Sequence, residues 1–300
     1  MSTPTTLAAV SSENGADRPT LKIAVPNKGA LSEAATQMLR EAGYRQRSDS
    51  KELVLTDAAN HVEFYYLRPR DIAVYVGEGT LDVGITGRDM LLDSGARADE
   101  VLSLNFGGTR FRFAGPVGQG LTVPGLAGRR VATSYPGLVG AYLTQQGIEA
   151  RLIKLDGAVE SAIRLGVADA IADVVETGRT LRQAGMEVFG EPIMVSEAIL
   201  IKRAELPEPA GLDLLVRRLS GVLVARNYVM MDYDCPSALV EQASAVTPGL
   251  EAPTVSPLAK DGWMAVRAMV PRGQAQQVMD DLWELGARAI LVTDIAACRL

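Results

Sequence analysis

The stretches LDVGIT (residues 81–86) and ADAIAD (residues 168–173) decide the fold, because they are two versions of one pattern. In each, an aspartate precedes a short apolar run, and the run leads into a turn that contains glycine. Short apolar runs bounded by turn residues are typical of buried strands. The repetition is weak, but it predicts two similar α/β lobes that face one another.

The surroundings of both stretches follow the same plan. LKIAV (residues 21–25) indicates a strand, the turn PNKG (residues 26–29) closes it, and a helical spacing of apolar residues follows. From Arg130 onward, strands and helices alternate again with short turns between them. A repeated order of strand, glycine-containing turn and helix is typical of α/β domains.

The C-terminal third of the chain is of a different kind. AILIKRA (residues 198–204) is one more strand, and LPEPAG (residues 206–211) predicts a linker. From Asn227 onward, the predicted order of elements is βαββαβ, which is the split-βαβ or ferredoxin-like arrangement. Small modules of this plan often bind regulatory ligands, although a fold does not fix a function.

Composition excludes several classes of function. With 300 residues, a net charge of -6 and a pI near 5.1, the chain lacks the basic surface that drives broad binding to nucleic acids or acidic membranes. No apolar run reaches the roughly 20 residues of a membrane-spanning helix. Residues 1–19 lack the features of a signal peptide, and only two cysteines occur. We therefore expect a disordered N-terminal arm and a cytoplasmic protein.

The sequence does not favour a catalytic triad with histidine or a metal site with several histidines, because His61 is the only histidine in it. Cys235 lies in a predicted strand without a neighbouring base, which favours a structural thiol. Asp232 and Asp234 alternate along the same strand and therefore share one side of it. The pattern alone fits either a ligand pocket or a solvated face.

The stretch DVVETGRTL (residues 173–181) offers a possible phosphate site. Glycine lets backbone N–H groups approach an anion at the start of a helix, and the threonine hydroxyls of Thr177 and Thr180 add donors. Asp173 ends the preceding strand, where a carboxylate could accept hydrogen bonds from a ribose diol. A Thr-Gly-x-Thr turn is also a common N-cap, so the spacing alone leaves both interpretations open.

The surroundings of this stretch resemble the signature of the ATP phosphoribosyltransferase family. Ten ordered positions agree with the family pattern: Glu160, Gly166, Ala168, Ile171, Asp173, Val174, Thr177, Gly178, Thr180 and Leu181. The likeness extends to AVPNKGAL, YLRPRDIAVYV, LDVGITGRD, DGAVESA, FGEP, DYDCP and PGLEAPTVSPL. It covers nearly the whole chain beyond the N-terminal arm, and the third domain makes the chain similar to the long form of the enzyme.

The resemblance implies transfer of the phosphoribosyl group of PRPP to N1 of ATP, which gives phosphoribosyl-ATP and pyrophosphate in the first step of histidine biosynthesis. It implies Mg²⁺ with the pyrophosphate, feedback inhibition by histidine, binding of AMP, and a homo-oligomer that grows from dimer to hexamer. The implied fold is two α/β lobes like those of type II periplasmic binding proteins, plus a C-terminal ferredoxin-like βαββαβ regulatory domain.

The same resemblance implies domain bounds. Residues 1–19 form the arm, residues 20–109 and 195–210 form lobe I, residues 110–194 form lobe II, and residues 211–300 form the regulatory domain. It also implies the substrate sites. The PRPP loop comprises Asp173, Val174, Val175, Glu176, Thr177, Gly178, Arg179 and Thr180. ATP and pyrophosphate would meet Lys28, Arg68, Thr86, Gly87 and Asp89, with the charges of Lys28 and Arg68 stabilising the leaving group. The catalytic residues proper and the protein ligands of Mg²⁺ are not identified.

For histidine, the resemblance implies a site made of Asp234, Leu250, Ala252, Thr254, Met269 and Ala289. Family members can carry serine where Ala252 stands, so one polar contact to the inhibitor is missing in this chain. The resemblance shifts Asp234 from a solvated face to a ligand contact.

Two other functions fit parts of the sequence. A non-catalytic, two-lobed binding protein for a phosphorylated solute would contain the same repeat, but it does not require the complete loop from Asp173 to Thr180. A phosphoribosyltransferase with another acceptor is the second alternative. The common PRPP loop of those enzymes has paired acids before the threonines, whereas Ala172 precedes Asp173 here.

Overall fold

The computed structural model describes residues 19–157, 159–175, 178–204 and 207–299. Its strands are β1 (Leu21–Pro26), β2 (Val54–Asp57), β3 (Val62–Leu67), β4 (Val83–Gly87), β5 (Ala98–Ser103), β6 (Thr109–Pro116), β7 (Arg130–Thr133), β8 (Arg151–Lys154), β9 (Ala170–Val174), β10 (Met186–Ser196), β11 (Ala198–Arg203), β12 (Tyr228–Pro236), β13 (Thr254–Pro257), β14 (Trp263–Pro271) and β15 (Arg288–Asp294). Its helices are α1 (Ala30–Glu41), α2 (Pro69–Gly77), α3 (Arg88–Ser94), α4 (Pro136–Gln145), α5 (Glu160–Arg164), α6 (Arg179–Gln183), α7 (Leu212–Asn227), α8 (Val240–Val246) and α9 (Ala275–Leu285).

These strands form three sheets, and the expected α/β class is confirmed. The first sheet has the order β2-β3-β1-β4-β11-β5, and the second has the order β10-β6-β9-β7-β8. β1 pairs in parallel with β3 and β4, while β7 pairs in parallel with β8 and β9. The carboxyl ends of parallel strands meet at one edge of a sheet, which is where ligands bind in open α/β folds. Both copies of the repeated stretch, β4 and β9, therefore end at such an edge.

The chain crosses between the two lobes twice, once between β5 and β6 and once between β10 and β11. Two backbone hydrogen bonds join the crossings. The N–H of Leu104 donates to the oxygen of Ala198 (3.0 Å), and the N–H of Ala198 donates to the oxygen of Phe106 (2.9 Å). The stretch from Val101 to Phe113, whose sequence pattern is strand-like, contains the end of β5, the crossing with Gly107 and Gly108, and the start of β6.

Helix α7 packs against the first lobe. Leu212, Leu215, Leu219 and Val222 lie in the same buried core as Ile23 of β1. The sequence had assigned this helix to the C-terminal domain. We propose a boundary between α7 and β12, since the apolar face of the helix is covered by the first lobe. Among the described residues, no helix is long and apolar enough to cross a membrane.

The C-terminal domain has the expected βαββαβ order, with an antiparallel sheet in the order β13-β14-β12-β15. Along β12, burial alternates strictly. Val229, Met231, Tyr233 and Cys235 lie in the core with α8 and α9, while the residues between them lie on the other face. Burial raises the pKa of the Cys235 thiol, which makes this thiol a poor nucleophile and agrees with a structural role.

Candidate active site

A cavity of about 300 Å³ lies between the first and second lobes. It is lined by Lys28, Gly29, Ala30, Leu31, Pro69, Gly87, Asp89, Met90, Gly107, Gly108, Thr109, Tyr135 and Val174. These residues come from the carboxyl ends of β1, β3, β4, β7 and β9 and from one crossing between the lobes. Three residues expected from the sequence, Lys28, Gly87 and Asp89, share this cavity with Val174 of the expected PRPP loop.

Lys28 lies in the turn between β1 and α1. Its side chain is exposed, and it forms no hydrogen bond or ion pair with any residue in the described part of the chain. Gly29 has a φ of 78°, a backbone conformation that favours glycine, and it allows the turn to lead directly into α1. An exposed cation at the end of a parallel strand is suited to an anionic ligand.

Asp89 is buried at the start of α3, with 5% of its surface exposed. Ser196 at the end of β10 donates its hydroxyl to Asp89 Oδ1 (2.8 Å) and accepts the N–H of Asp89 (3.0 Å). Thr86 is completely buried, and its hydroxyl donates to the oxygen of Pro69 (2.8 Å). The side chain of Thr86 therefore joins β4 to α2 instead of facing the cavity. Arg68, at the N-terminus of α2, is exposed at the same sheet edge.

On the second lobe, Asp173 ends β9 next to Val174. Its Oδ1 accepts the backbone N–H of Val174 (2.8 Å). Burial raises the pKa of the Asp173 carboxyl, Glu160 raises it further, and Arg70 and the hydrogen bond from Val174 oppose the shift. A half-buried carboxylate with so little local compensation is a candidate for a ligand contact.

Part of the expected PRPP loop lies outside the described residues. Glu176 and Thr177 are not described, and the structure gives no side-chain position for Thr180. Gly178 has a φ of 65°, and its oxygen accepts the N–H of Arg182 (3.0 Å) in the first turn of α6. A glycine in this conformation just before the helix agrees with the strand, turn and helix order read from DVVETGRTL.

Sequence reasoning did not identify Tyr135, which lines the cavity and is 7% exposed. The Arg70 guanidinium lies 4.1 Å from the centroid of its ring. Burial raises the pKa of the Tyr135 hydroxyl, and Asp89 raises it further, while Arg70 opposes the change. Because Asp89 is in the first lobe and Tyr135 is in the second, this ring connects the two walls of the cavity. Tyr135 stands two residues beyond β7, and this position after a parallel strand could have identified it.

Similar proteins identify the family. The model described as "ATP phosphoribosyltransferase" matches residues 68–221, and that described as "HisG, C-terminal domain" matches residues 225–297. The chain is 62% identical over 285 residues to an ATP phosphoribosyltransferase of Arthrobacter sp. (strain FB24). It is 64% identical over 280 residues to the enzyme of Kocuria rhizophila. Each alignment covers 93% of this chain and 100% of the relative.

The chain belongs to the ATP phosphoribosyltransferase family. Its reaction is accordingly the transfer of the phosphoribosyl group of PRPP to ATP, as the resemblance implied. Among solved structures, a chain of the ATP phosphoribosyl transferase (HisG:HisZ) complex from Thermotoga maritima is 27% identical with a TM-score of 0.57. That alignment covers 68% of this chain and 98% of the other, so the shared part is smaller than the whole chain.

The residues expected to bind histidine lie in the C-terminal domain of this ATP phosphoribosyltransferase family member. They are spread over four strands and a loop. Asp234, Met269 and Thr254 lie on one face of the sheet, in β12, β14 and β13. Ala289 lies in β15 and has a φ of 51°. The residue before it, Arg288, stands opposite Asp234 in the pairing of β12 with β15. Leu250 and Ala252 are exposed in the segment before β13. Leu250, Ala252, Thr254 and Ala289 are exposed, whereas Asp234 and Met269 are partly buried.

Arg112 is a second residue that the sequence did not single out. In the antiparallel pair of β6 and β9 it stands directly opposite Asp173. Its Nη2 donates to the oxygen of Gly190 (2.5 Å), but its Nε is buried without a hydrogen-bond partner. An unpaired buried N–H is costly, which makes Arg112 a candidate donor to a ligand beside Asp173. Arginines alternate with apolar residues in TRFRFAG (residues 109–115), and this pattern could have identified Arg112.

Proposed function

We propose that PRPP binds to the second-lobe wall of the cavity and ATP to the first-lobe wall, so that the reacting atoms meet between the lobes. The observation that carries the proposal is the single cavity that joins Lys28 and Asp89 to Val174, the neighbour of Asp173. Asp173 accepts hydrogen bonds from the ribose hydroxyls of PRPP. Residues 174–180, including Thr177, Gly178 and Thr180, hold the 5-phosphate with backbone and hydroxyl donors.

On the first-lobe wall, Lys28 and Arg68 bind the phosphates of ATP and the departing pyrophosphate. The turn of Gly87 and Asp89 lines the nucleotide side. Thr86 contributes only by holding β4 to α2, because its hydroxyl is already bonded to Pro69. Cationic side chains that face developing negative charge in a partly closed cleft are well suited to stabilise it.

The chemistry needs alignment more than proton transfer. N1 of adenine attacks C1 of PRPP, the C1–O bond to pyrophosphate breaks, and the electron pair leaves with the pyrophosphate. C1 gains positive character on the way, so a fixed line of approach and neutralisation of the leaving group lower the barrier. The cavity walls formed by Leu31, Met90 and Tyr135 exclude water that would hydrolyse PRPP.

We infer that Mg²⁺ accompanies the diphosphate of PRPP. Among the described residues, no group of three or more His, Cys, Asp or Glu side chains could hold a metal ion. Mg²⁺ usually keeps several waters and binds through substrate phosphates, so it does not require a site made of protein side chains alone. When bound, the ion would neutralise part of the charge on the leaving group.

We further propose that this protein acts in the cytoplasm, binds AMP in the nucleotide site, and assembles from dimers into hexamers. A dissociated protomer has an open C-terminal sheet face that includes Leu291, which is 62% exposed. An apolar side chain exposed on a flat sheet is suited to a contact between protomers. A non-catalytic binding protein is the weaker alternative, because the relatives are named as enzymes over the full length that they share with this chain.

The phosphate cradle is tested by replacing Thr177 and Thr180 together with alanine. We expect PRPP affinity to fall by about 100-fold or more, since each of the two lost hydrogen bonds to a charged group is worth about 1.5–3 kcal/mol. Isothermal titration with PRPP and Mg²⁺ measures the loss. Histidine binding to the same variant is the control and should stay unchanged. Equal losses for both ligands would mean that the loop is only structural.

Histidine inhibition is tested at Asp234. We expect Asp234→Ala to raise the histidine concentration for half inhibition by about tenfold or more, because a charged contact to the amino acid is removed. Turnover without histidine should not change. The matched control is Asp232→Ala on the same face, whose carboxylate is already paired with Arg267 Nε (2.6 Å). If both variants keep normal inhibition, the histidine site lies elsewhere.

A further inference from the structure

The N-terminus of helix α4 in the second lobe is capped by a residue of the first lobe. Its N-cap residue, Tyr135, makes no side-chain capping bond. Asp93 of α3 instead accepts the backbone N–H groups of Gly137 (2.9 Å) and Leu138 (3.1 Å) through one carboxylate oxygen. First-turn N–H groups have no partner inside a helix, and a carboxylate is their best acceptor. The bond therefore joins one lobe to the other.

Arg70 makes a second connection at the same place. Its Nη1 donates to the oxygen of Ser134 (2.8 Å) and lies 3.4 Å from Asp93 Oδ2. Its guanidinium stacks on the ring of Tyr135. The backbones also approach closely, because a Cβ on Gly137 would collide with the main-chain oxygen of Asp93. We call Arg70, Asp93 and residues 134–138 the interlobe joint.

The residues of the interlobe joint belong to neither of the two crossings that connect the lobes covalently. Ser196 and Glu197, which bond to Asp89 and Arg88, lie where the chain crosses from β10 to β11. Segments between two lobes are where hinge rotation occurs in two-lobed proteins, and a second contact outside such a segment restricts that rotation. It also places Tyr135 against the cavity, close to Asp89 and Asp173.

We propose that Arg70 and Asp93 are positioning residues for phosphoribosyl transfer: the interlobe joint fixes the placement of the second-lobe wall relative to the first. The proposal rests on the assignment of PRPP and ATP to opposite lobes. If each substrate is held by one lobe, loosening the joint leaves each binding site intact but spoils their alignment. A misplacement of about 1 Å can cost about 100-fold in rate.

The test is Asp93→Ala, with binding and turnover measured separately. We expect kcat to fall by about 10- to 100-fold, while the Kd of PRPP alone and of ATP alone, by titration calorimetry, changes less than about threefold. Asp93→Asn keeps an acceptor oxygen for both amides and should restore most of the turnover. Arg70→Met should show the same split between binding and turnover. It tests the joint even if loss of the cap prevents folding of Asp93→Ala.

The matched control is Asp82→Ala. Asp82 Oδ2 also accepts a backbone N–H, that of Lys22 (2.8 Å), but both residues belong to the first lobe. Its variant should lose stability and keep kcat. The proposal is overturned if Asp93→Ala and Arg70→Met retain full kcat. It is also overturned if either variant loses PRPP or ATP binding in proportion to its loss of kcat, or if Asp82→Ala loses as much kcat as Asp93→Ala does. Failure of this proposal can be told apart from a wrong assignment of PRPP to the second lobe. If that assignment is wrong, Asp173→Asn binds PRPP with normal affinity.

Discussion

We expect Asp173→Asn to lower PRPP affinity by about 100-fold, because two hydrogen bonds from ribose hydroxyls to a carboxylate are each worth about 1.5–3 kcal/mol. The same change should raise the thermal stability of the protein near neutral pH. Burial raises the pKa of the Asp173 carboxyl, so the folded state holds the proton more tightly than the unfolded state does. Stability then falls as pH rises through the folded pKa, because the ionised carboxylate is partly buried in the folded state. Asparagine carries no charge, so its burial does not destabilise the folded protein in this way.

The pH dependence gives a second signature of the same group. The ratio of PRPP affinities of the native protein and Asp173→Asn should shrink as pH falls toward the raised pKa, because the native carboxyl becomes neutral there. Taking the ratio cancels the titration of the PRPP phosphates. Calorimetric titration and thermal unfolding of both proteins across the acid range measure these effects.

The control for this prediction is Asp169→Asn, one residue before β9. The Arg130 guanidinium beside Asp169 lowers the pKa of that carboxyl to about 2, with Nη2 and Oδ1 2.7 Å apart. Its substitution should lower thermal stability at neutral pH and leave PRPP affinity unchanged, the opposite of Asp173→Asn on both counts. If Asp173→Asn also loses stability and keeps PRPP affinity, Asp173 is a structural acid.

Lys28→Met is the second change with a large expected effect. We expect kcat to fall by about 100-fold, which is the usual cost of removing one preorganised donor to developing charge. The Lys28 side chain is exposed and forms no ion pair among the described residues, so the loss cannot be attributed to a broken contact in the folded protein. Steady-state kinetics with saturating ATP and PRPP measure it, and the melting temperature should not change.

Lys22→Met is the matched control, because Lys22 lies in β1, the strand before the turn that contains Lys28, and is also exposed. It removes the same charge from the same lobe and should leave kcat unchanged. Equal effects of the two variants would assign the loss to the overall charge of the lobe. Normal turnover of Lys28→Met would remove Lys28 from the site.

The sequence predicted the strand-to-turn junctions of the site well, because local chemistry defines them. The apolar runs before Lys28, Gly87 and Asp173 became β1, β4 and β9, and their parallel pairing brings those turns to the cleft. Thr86 was expected at the nucleotide, but its hydroxyl bonds to Pro69, a contact between elements 17 residues apart. A turn pattern contains no information about such a partner.

Residues that depend on the contact between lobes could not be predicted in this way. Asp93, in α3, has no unusual sequence neighbours, and its role depends on the position of α4 in the other lobe. Tyr135 and Arg70 meet for the same reason. Helix α7 was expected in the C-terminal domain because a linker precedes it, but its apolar face is buried in the first lobe. In each case tertiary packing decides the outcome.

The most direct measurement of the central claim is a crystal structure of this protein with PRPP and Mg²⁺. We expect electron density for the 5-phosphate at the backbone N–H groups of residues 178–180, with the ribose hydroxyls on Asp173 and the diphosphate directed across the cavity toward Lys28. Density for the 5-phosphate at Lys28 and Arg68, with Asp173 free of ligand, would contradict the assignment of PRPP to the second lobe.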